Sequence, residues 1–139
     1  MNAIDTNVFV YTFDPADPAK QIRARQLVLD LVSKPHESVL LWRVAVEFLA
    51  FSRKAQGQGL LNGQEVKDRF QEVMQLFALK LPAAQIFERS FALHERYSLS
   101  HWDSLLVAAC QDAGVSRLYS EDMQHDADYD GVKIVNPFA

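Results

Sequence analysis

Met1-Asn2-Ala3-Ile4-Asp5-Thr6-Asn7-Val8-Phe9-Val10 opens the chain, and the reading of this stretch decides the fold. A short apolar run meets an acid, then a hydroxyl, then an amide, and the apolar residues resume. Asn2 to Ile4 reads as the first strand of a sheet. Asp5 then stands at the carboxyl end of that strand, the edge at which ligands bind in open parallel α/β sheets. The plainer reading makes Asp5 the cap of the following helix, a common role for Asp. The stretch alone favours the cap. Three other acids, placed by the later elements, bear on the choice.

Composition sets the outer bounds. The 139 residues suit one domain, residues 1–139, with a real core. A content of 49% hydrophobic and 23% charged residues is ordinary for a soluble globular protein. No apolar run approaches the ~20 residues that span a bilayer. The amino terminus lacks the basic region and apolar core of a signal peptide. The lone Cys110 has no partner for an internal disulfide and sits in an apolar helical stretch, so it reads as core packing. A reducing, cytoplasmic setting is expected. The net charge of −4 gives no overall pull toward nucleic acid. An acidic pocket filled by a divalent cation nevertheless becomes a phosphate site, because the ion reverses the local field.

Outward from the first strand, Val8 to Phe13 reads as a short helix broken by Asp14, Pro15, Asp17 and Pro18. Ala24, Leu27, Val28 and Leu31 recur at helical spacing, which carries a helix to about Ser33 before Pro35 closes it. Ser38 to Trp42 reads as a second, buried strand. Arg43 to Ala55 is a helix, apolar nearly all round and so expected to be buried, with Glu47 in its middle. A helix from Asn62 or Gly63 carries Val66, Phe70, Val73, Met74 and Phe77 on one face. Ala78 to Leu81 is a short third strand, and Ala84, Phe87 and Phe91 mark a helix ending near Tyr97. Ser100 and Asp103 have capping-box spacing and start the clearest helix, which Gly114 stops. Ser116 to Tyr119 and Val132 to Val135 are the fourth and fifth strands. Strands alternating with helices predict an α/β fold: a mostly parallel five-stranded sheet with helices on both faces.

This order gives four acids a common destination. Asp5 follows strand one. Glu47 lies about a turn into the helix after strand two. Asp103 lies in the first turn of a late helix, and Asp122 follows strand four after Ser120 and Glu121. Clustered carboxylates repel unless a cation neutralises them, and hard oxygen ligands favour Mg²⁺ or Mn²⁺ over zinc. The chemistry that suits such a site is phosphodiester hydrolysis. Each acid also has a plainer role: Asp103 as a cap, Glu47 at a helix edge, Asp122 in an acidic loop with Asp126, Asp128 and Asp130. Thr6, Asn7 and Ser120 either orient the carboxylates or cap local backbone. His94, His101 and His125 lack zinc-ligand spacing, and no Gly-rich phosphate loop is present. Trp42 and Trp102 read as core or interface residues.

Taken together these blocks resemble the PIN-domain family, and within it the VapC-type toxins of bacterial toxin–antitoxin pairs. The resemblance rests on Asp5-Thr6-Asn7, on Glu47, on His101-Trp102-Asp103-Ser104-Leu105-Leu106-Val107-Ala108-Ala109, on Tyr119-Ser120-Glu121-Asp122-Met123-Gln124-His125, and on Ile134-Val135-Asn136-Pro137-Phe138. It covers essentially the whole chain through order and spacing, since no single block is specific. The resemblance implies a PIN-like three-layer sandwich and a Mg²⁺-dependent ribonuclease. It implies a homodimer, and a cognate antitoxin whose carboxyl-terminal segment blocks the active-site groove. Asp5, Glu47, Asp103 and Asp122 match the family's acidic positions, and Ser120 its Ser or Thr two residues before the last acid. Asp126 stands where close relatives commonly carry Gly, which leaves open whether Asp126 or Glu121 joins the site.

Other α/β classes fit less well. An aspartate-dependent phosphatase needs a second acid two residues after Asp5, where Asn7 stands. A receiver-like phosphorylation module resembles a pattern of paired acids after strand one with a late Lys, but Asp5 has no acidic neighbour and Lys133 falls inside the last strand. A PIN fold that has lost activity and only binds is a third possibility, against which the four intact acids argue.

Overall fold

The computed structural model describes residues 1–139. Its elements run β1 (Asn2–Ile4), α1 (Thr6–Thr12), α2 (Pro18–Val32), a 3-10 turn at Pro35–Glu37, β2 (Val39–Leu41), α3 (Trp42–Gly57), α4 (Gly63–Met74), β3 (Ala78–Lys80), α5 (Ile86–Tyr97), α6 (His101–Asp112), β4 (Arg117–Tyr119), β5 (Asp128–Tyr129) and β6 (Val132–Val135). No helix is long and apolar enough to cross a membrane. The sequence rules explain the boundaries. Asp17 caps α2 with Pro18 at its first position, Asn62 and Glu65 make a reciprocal capping box on α4, and the Ser100 hydroxyl accepts from the Asp103 amide at the start of α6. Gly114, at φ +71°, supplies the left-handed residue after α6.

Strands β1, β4 and β6 pair in parallel, and β5 adds an antiparallel edge on β6. A second parallel pair, β2 with β3, adjoins β1 through a single bridge between Asn2 and Ser38. The mostly parallel α/β arrangement is therefore as expected, with two departures. The strands form two ladders joined by one bridge, and β5, only two residues long, makes a sixth strand. So brief a segment, bounded by the Asp130–Gly131 turn, offers no alternation to read. The first helix also begins at Thr6, two residues earlier than expected, because the Asp5 side chain accepts from the Thr6 amide and caps it.

The strand order across both ladders is β3-β2-β1-β4-β6. From β1 the chain steps to β2 and β3, then returns past β1 to β4. Right-handed crossovers of opposite direction put their helices on opposite faces. The helices divide accordingly: α1 packs on α2 and α3, α3 on α4, and α5 on α6. The reversal falls between β1 and β4, and the crevice at the carboxyl ends of those strands is where open α/β sheets bind ligands.

The core is continuous through the sheet. Ala3, Leu118 and Ile134 come from the three central strands, Phe9 and Phe48 from α1 and α3, and Val107 from α6; all are fully or almost fully buried. Phe9 and Phe48 meet edge to face with ring centroids 6.5 Å apart. Helix α3 is less enclosed than its composition suggested, since Val46 and Phe51 face solvent. Its buried stripe is Val44, Ala45, Phe48 and Ser52, the ordinary amphipathic spacing. We expect Leu118→Ala, in the strand between β1 and β6, to cost about 2–5 kcal/mol in urea unfolding. A loss below about 1 kcal/mol would mean that β4 is not central to the core.

Candidate active site

Asp5 is the floor of the crevice. It is 8% exposed, and burying a carboxylate is costly unless donors meet it. Two do: the Thr6 amide donates to Oδ1 at 2.8 Å, and the Ser120 hydroxyl to Oδ2 at 2.8 Å. Asp5 is thus both helix cap and strand-end acid, and the two readings of the opening stretch are compatible. Ser120 is brought there by parallel register. Ile4 lies beside Tyr119, and the Asp5 amide continues the ladder to the Tyr119 carbonyl at 2.8 Å. The fully buried Ser120 also accepts from the Asp122 amide at 3.2 Å, so one hydroxyl orients Asp5 and fixes the turn that carries Asp122.

Electrostatics tie two more acids to this floor. Burial is the main force pushing the Asp5 carboxyl above its ordinary range; Ser120 and Thr6 pull it down, and the charges of Glu47 and Asp122 push it up again. Glu47 and Asp122 are therefore near enough to Asp5 for their charges to act on it. The expected burial of Glu47 does not occur: its side chain is 44% exposed and pairs with Arg43 one turn earlier, at 2.9 Å. Apolar neighbours in sequence misled because they lie on other faces of α3. Asp103 sits in the first turn of α6, half-buried, its amide held by Ser100 at 3.1 Å. Arg43 reaches this helix as well, donating to the Trp102 carbonyl, and so bridges Glu47 to the residue beside Asp103.

Thr6 Oγ1 and both amide atoms of Asn7 are shut from solvent without a hydrogen-bond partner. Buried polar atoms are usually satisfied, so these orphans directly after Asp5 are groups that a bound polar ligand or water would satisfy. The donors are oxygens of the kind that hold Mg²⁺ or Mn²⁺. They are not closed around an ion position, since no three Asp, Glu, His or Cys side chains lie close enough together to hold one. Asp5 is held by two hydrogen bonds, whereas Glu47 and Asp122 stand nearer the surface.

The two acids left open by sequence have other employment. Glu121 takes Lys20 on Oε1 and the Tyr11 hydroxyl on Oε2, the latter at 2.7 Å. Burial raises its carboxyl, but the bonds from Lys20 and Tyr11 outweigh that and hold it below the usual range. Asp126, at φ +64°, lies 3.4 Å from Lys133 and 3.5 Å from His125. Sequence reasoning missed Arg43 and Lys20. The i,i+4 spacing of Arg43 and Glu47 was a usable signal; nothing in sequence linked Tyr11, Lys20 and Glu121. Cys110 is fully buried close enough to Asp5 for that charge, after burial itself, to raise its thiol, and it is core packing as read.

These forces predict a stability effect. With its folded pKa above the unfolded one, Asp5 binds more proton in the native chain, so stability falls as pH rises through that window, from about 3.9 upward. Asp5→Asn keeps one acceptor for the Thr6 amide, turns the Ser120 hydroxyl from donor to acceptor, and removes the charge. In EDTA at pH 7 the variant should unfold at higher urea than wild type, and the difference should shrink as the pH is lowered toward 4. A variant less stable at pH 7, by an amount independent of pH, would contradict this.

The comparisons with known proteins agree with the geometry. The PIN domain model matches residues 3–128. Among curated proteins none matches this sequence. Among solved structures, the chain is similar to a protein of a toxin–antitoxin complex from Klebsiella pneumoniae. That match has a TM-score of 0.66 at 20% identity and covers 99% of this chain and 98% of the other. It is also similar to VapC20 of Mycobacterium tuberculosis, described as a Sarcin-Ricin loop cleaving toxin. There the TM-score is 0.63 at 16% identity, over 88% of this chain and 90% of that one. With a crevice between β1 and β4 floored by Asp5 and a family match over most of its length, the chain belongs to the PIN-domain family.

Proposed function

We propose that this protein is a Mg²⁺- or Mn²⁺-dependent endoribonuclease, the cytoplasmic toxin of a type II toxin–antitoxin pair, acting at Asp5, Glu47, Asp103 and Asp122. The observation that carries the reading is the buried Asp5 carboxylate at the switch point of a parallel sheet, with Glu47 and Asp122 acting on it and unpartnered Thr6 and Asn7 beside it. When bound, such an ion activates water and shields the charge of a phosphodiester. Asp5, Glu47, Asp103 and Asp122 would hold it. Each of the chain's own groups has a separate task. Ser120 donates to Asp5 and so keeps the carboxylate in one orientation. The Thr6 amide and the α1 terminus favour its ionised form. Arg43 restrains Glu47 between the site and solvent. Lys20 and Tyr11 anchor Glu121, and with it the turn that presents Asp122.

The partners follow the same reading. The Klebsiella neighbour is described as part of a toxin–antitoxin complex, which supports an antitoxin partner; that its carboxyl-terminal segment covers the groove is what the family resemblance implies. A homodimer is supported by Phe87 and Phe91, one turn apart on α5 and 61% and 69% exposed. Apolar surface of this kind commonly marks a contact between chains.

The test is cleavage of total cellular RNA with Mg²⁺, with Mn²⁺ and with EDTA, followed by sequencing of the cut ends. Excess EDTA should abolish cleavage, and a zinc-selective chelator should leave it unchanged. Ser120→Ala should slow cleavage by roughly 10–100-fold, the usual cost of losing an orienting partner, and Asp5→Asn by more. Circular dichroism on the same preparations checks the fold. Full activity in EDTA, or in a folded Asp5→Asn protein, overturns the assignment.

A further inference from the structure

Beside the carboxylates stands an aromatic surface that hydrolysis itself does not require. Trp102 immediately precedes Asp103 in the first turn of α6 and is 63% exposed. It was expected in the core or at an interface, yet within this chain it is held out in solvent by specific contacts. The Arg43 guanidinium carbon lies 5.5 Å from its ring centroid, within cation–π range, and the same guanidinium donates to its carbonyl. The His101 ring packs against it edge to face at 4.6 Å. Arg43 therefore holds Glu47 with Nε and Trp102 with the rest of its head group, which links the ledge to the acids. Trp102 and Arg43 also line a cavity of about 360 Å³ together with Trp42, Lys80, Leu81 and the Phe87 that the dimer reading assigns to a contact between chains. That volume lies at the lower end of the range for small-ligand pockets, roughly 300–1,000 Å³.

We infer that Trp102 and Arg43 form a stacking ledge for one unpaired base of the RNA substrate, next to the phosphate that the carboxylates address. The inference rests on the ribonuclease reading above and adds to it the form of RNA that is bound. Unpaired bases are recognised by stacking on aromatic rings and on guanidinium planes, whereas a duplex keeps its base faces hidden. A ledge at the site thus favours a single strand or a splayed loop. Of the cavity's two cations, Arg43 is already paired with Glu47, which leaves Lys80 to meet a phosphate.

The test uses the whole protein carrying Trp42→Phe, which leaves Trp102 as the single tryptophan. In EDTA, where hydrolysis does not run, single-stranded oligouridylate should quench Trp102 fluorescence, and an oligonucleotide of the same length with abasic residues should quench it far less. In Mg²⁺, Trp102→Ala should raise KM on the order of tenfold, with the loss in KM rather than kcat. Trp102→Phe should recover most of it, and on a substrate abasic on both sides of the mapped cut Trp102→Ala should lose nothing further. If the alanine variant fails to fold, Trp102→Phe and the quenching experiment decide. Equal losses on base-bearing and abasic RNA overturn the ledge. So does a Trp102→Ala protein that changes mass on gel filtration while binding RNA as before, since Trp102 is then a protein contact. Cleavage without quenching sinks the ledge alone, and quenching without cleavage in Mg²⁺ sinks the nuclease reading alone.

Discussion

The bond from the Ser120 hydroxyl to Asp5 is the constraint on which the site depends. It joins the ends of two strands, each only three residues long, and it exists only in one register. With Ile4 beside Tyr119, the residues after both strands face each other across the crevice. A slip of one residue would turn Ser120 to the other face of the sheet and leave Asp5 buried with one donor fewer. The strands are too short to secure that register by their own hydrogen bonds. Burial of Ala3, Ile4 and Leu118 secures it, so the core sets the position of the crevice floor.

The same arrangement stores an opposition. Folding gathers carboxylates that repel, and only part of that repulsion is met within the chain, by Arg43 on Glu47 and by hydrogen bonds on Asp5. The acids that do not belong to the site are treated differently. Glu121 and Asp130 are held below the usual carboxylate range, Glu121 by Lys20 and Tyr11, Asp130 first by Tyr97 and then by Arg96. Those acids fasten loops, whereas Asp5, met only by neutral donors and raised above its ordinary range, lies at the switch point, where perturbed groups are candidates for function.

Most of the architecture was legible in the sequence because it depends on local rules. Caps at Asp17, Asn62 and Ser100, the stop at Gly114 and five apolar runs gave the elements and their alternation. The β5 edge was not legible, because two residues carry no period. Asp5 and Ser120 were legible as strand-end residues, but their mutual bond was not, since it is a product of register. Glu47 was placed correctly along the chain and wrongly in depth. Val44 and Phe48 lie on the buried stripe of α3, while Val46 and Phe51 face outward, so the apolar neighbours of Glu47 do not enclose it. Contacts between side chains far apart in sequence, such as Tyr11, Lys20 and Glu121, leave no trace in composition or spacing.

Depth explains why the acids are unlike one another. Asp5 is fixed by two donors at the bottom of the crevice and has no freedom to choose a partner. Glu47 and Asp122 sit higher, on a helix side chain with several rotatable bonds and on an exposed turn. A rigid floor with an adjustable rim reconciles two demands that conflict in a cluster of like charges. If every acid were locked inward, their repulsion would weigh on the fold at all times. If all were mobile, the geometry of a bound ion would have to be assembled at the cost of ordering every side chain. On the proposed metal-binding reading, fixing one buried carboxylate through the strand register while its partners stay near the surface would lessen both costs, though not remove the repulsion that Glu47 and Asp122 already exert on Asp5.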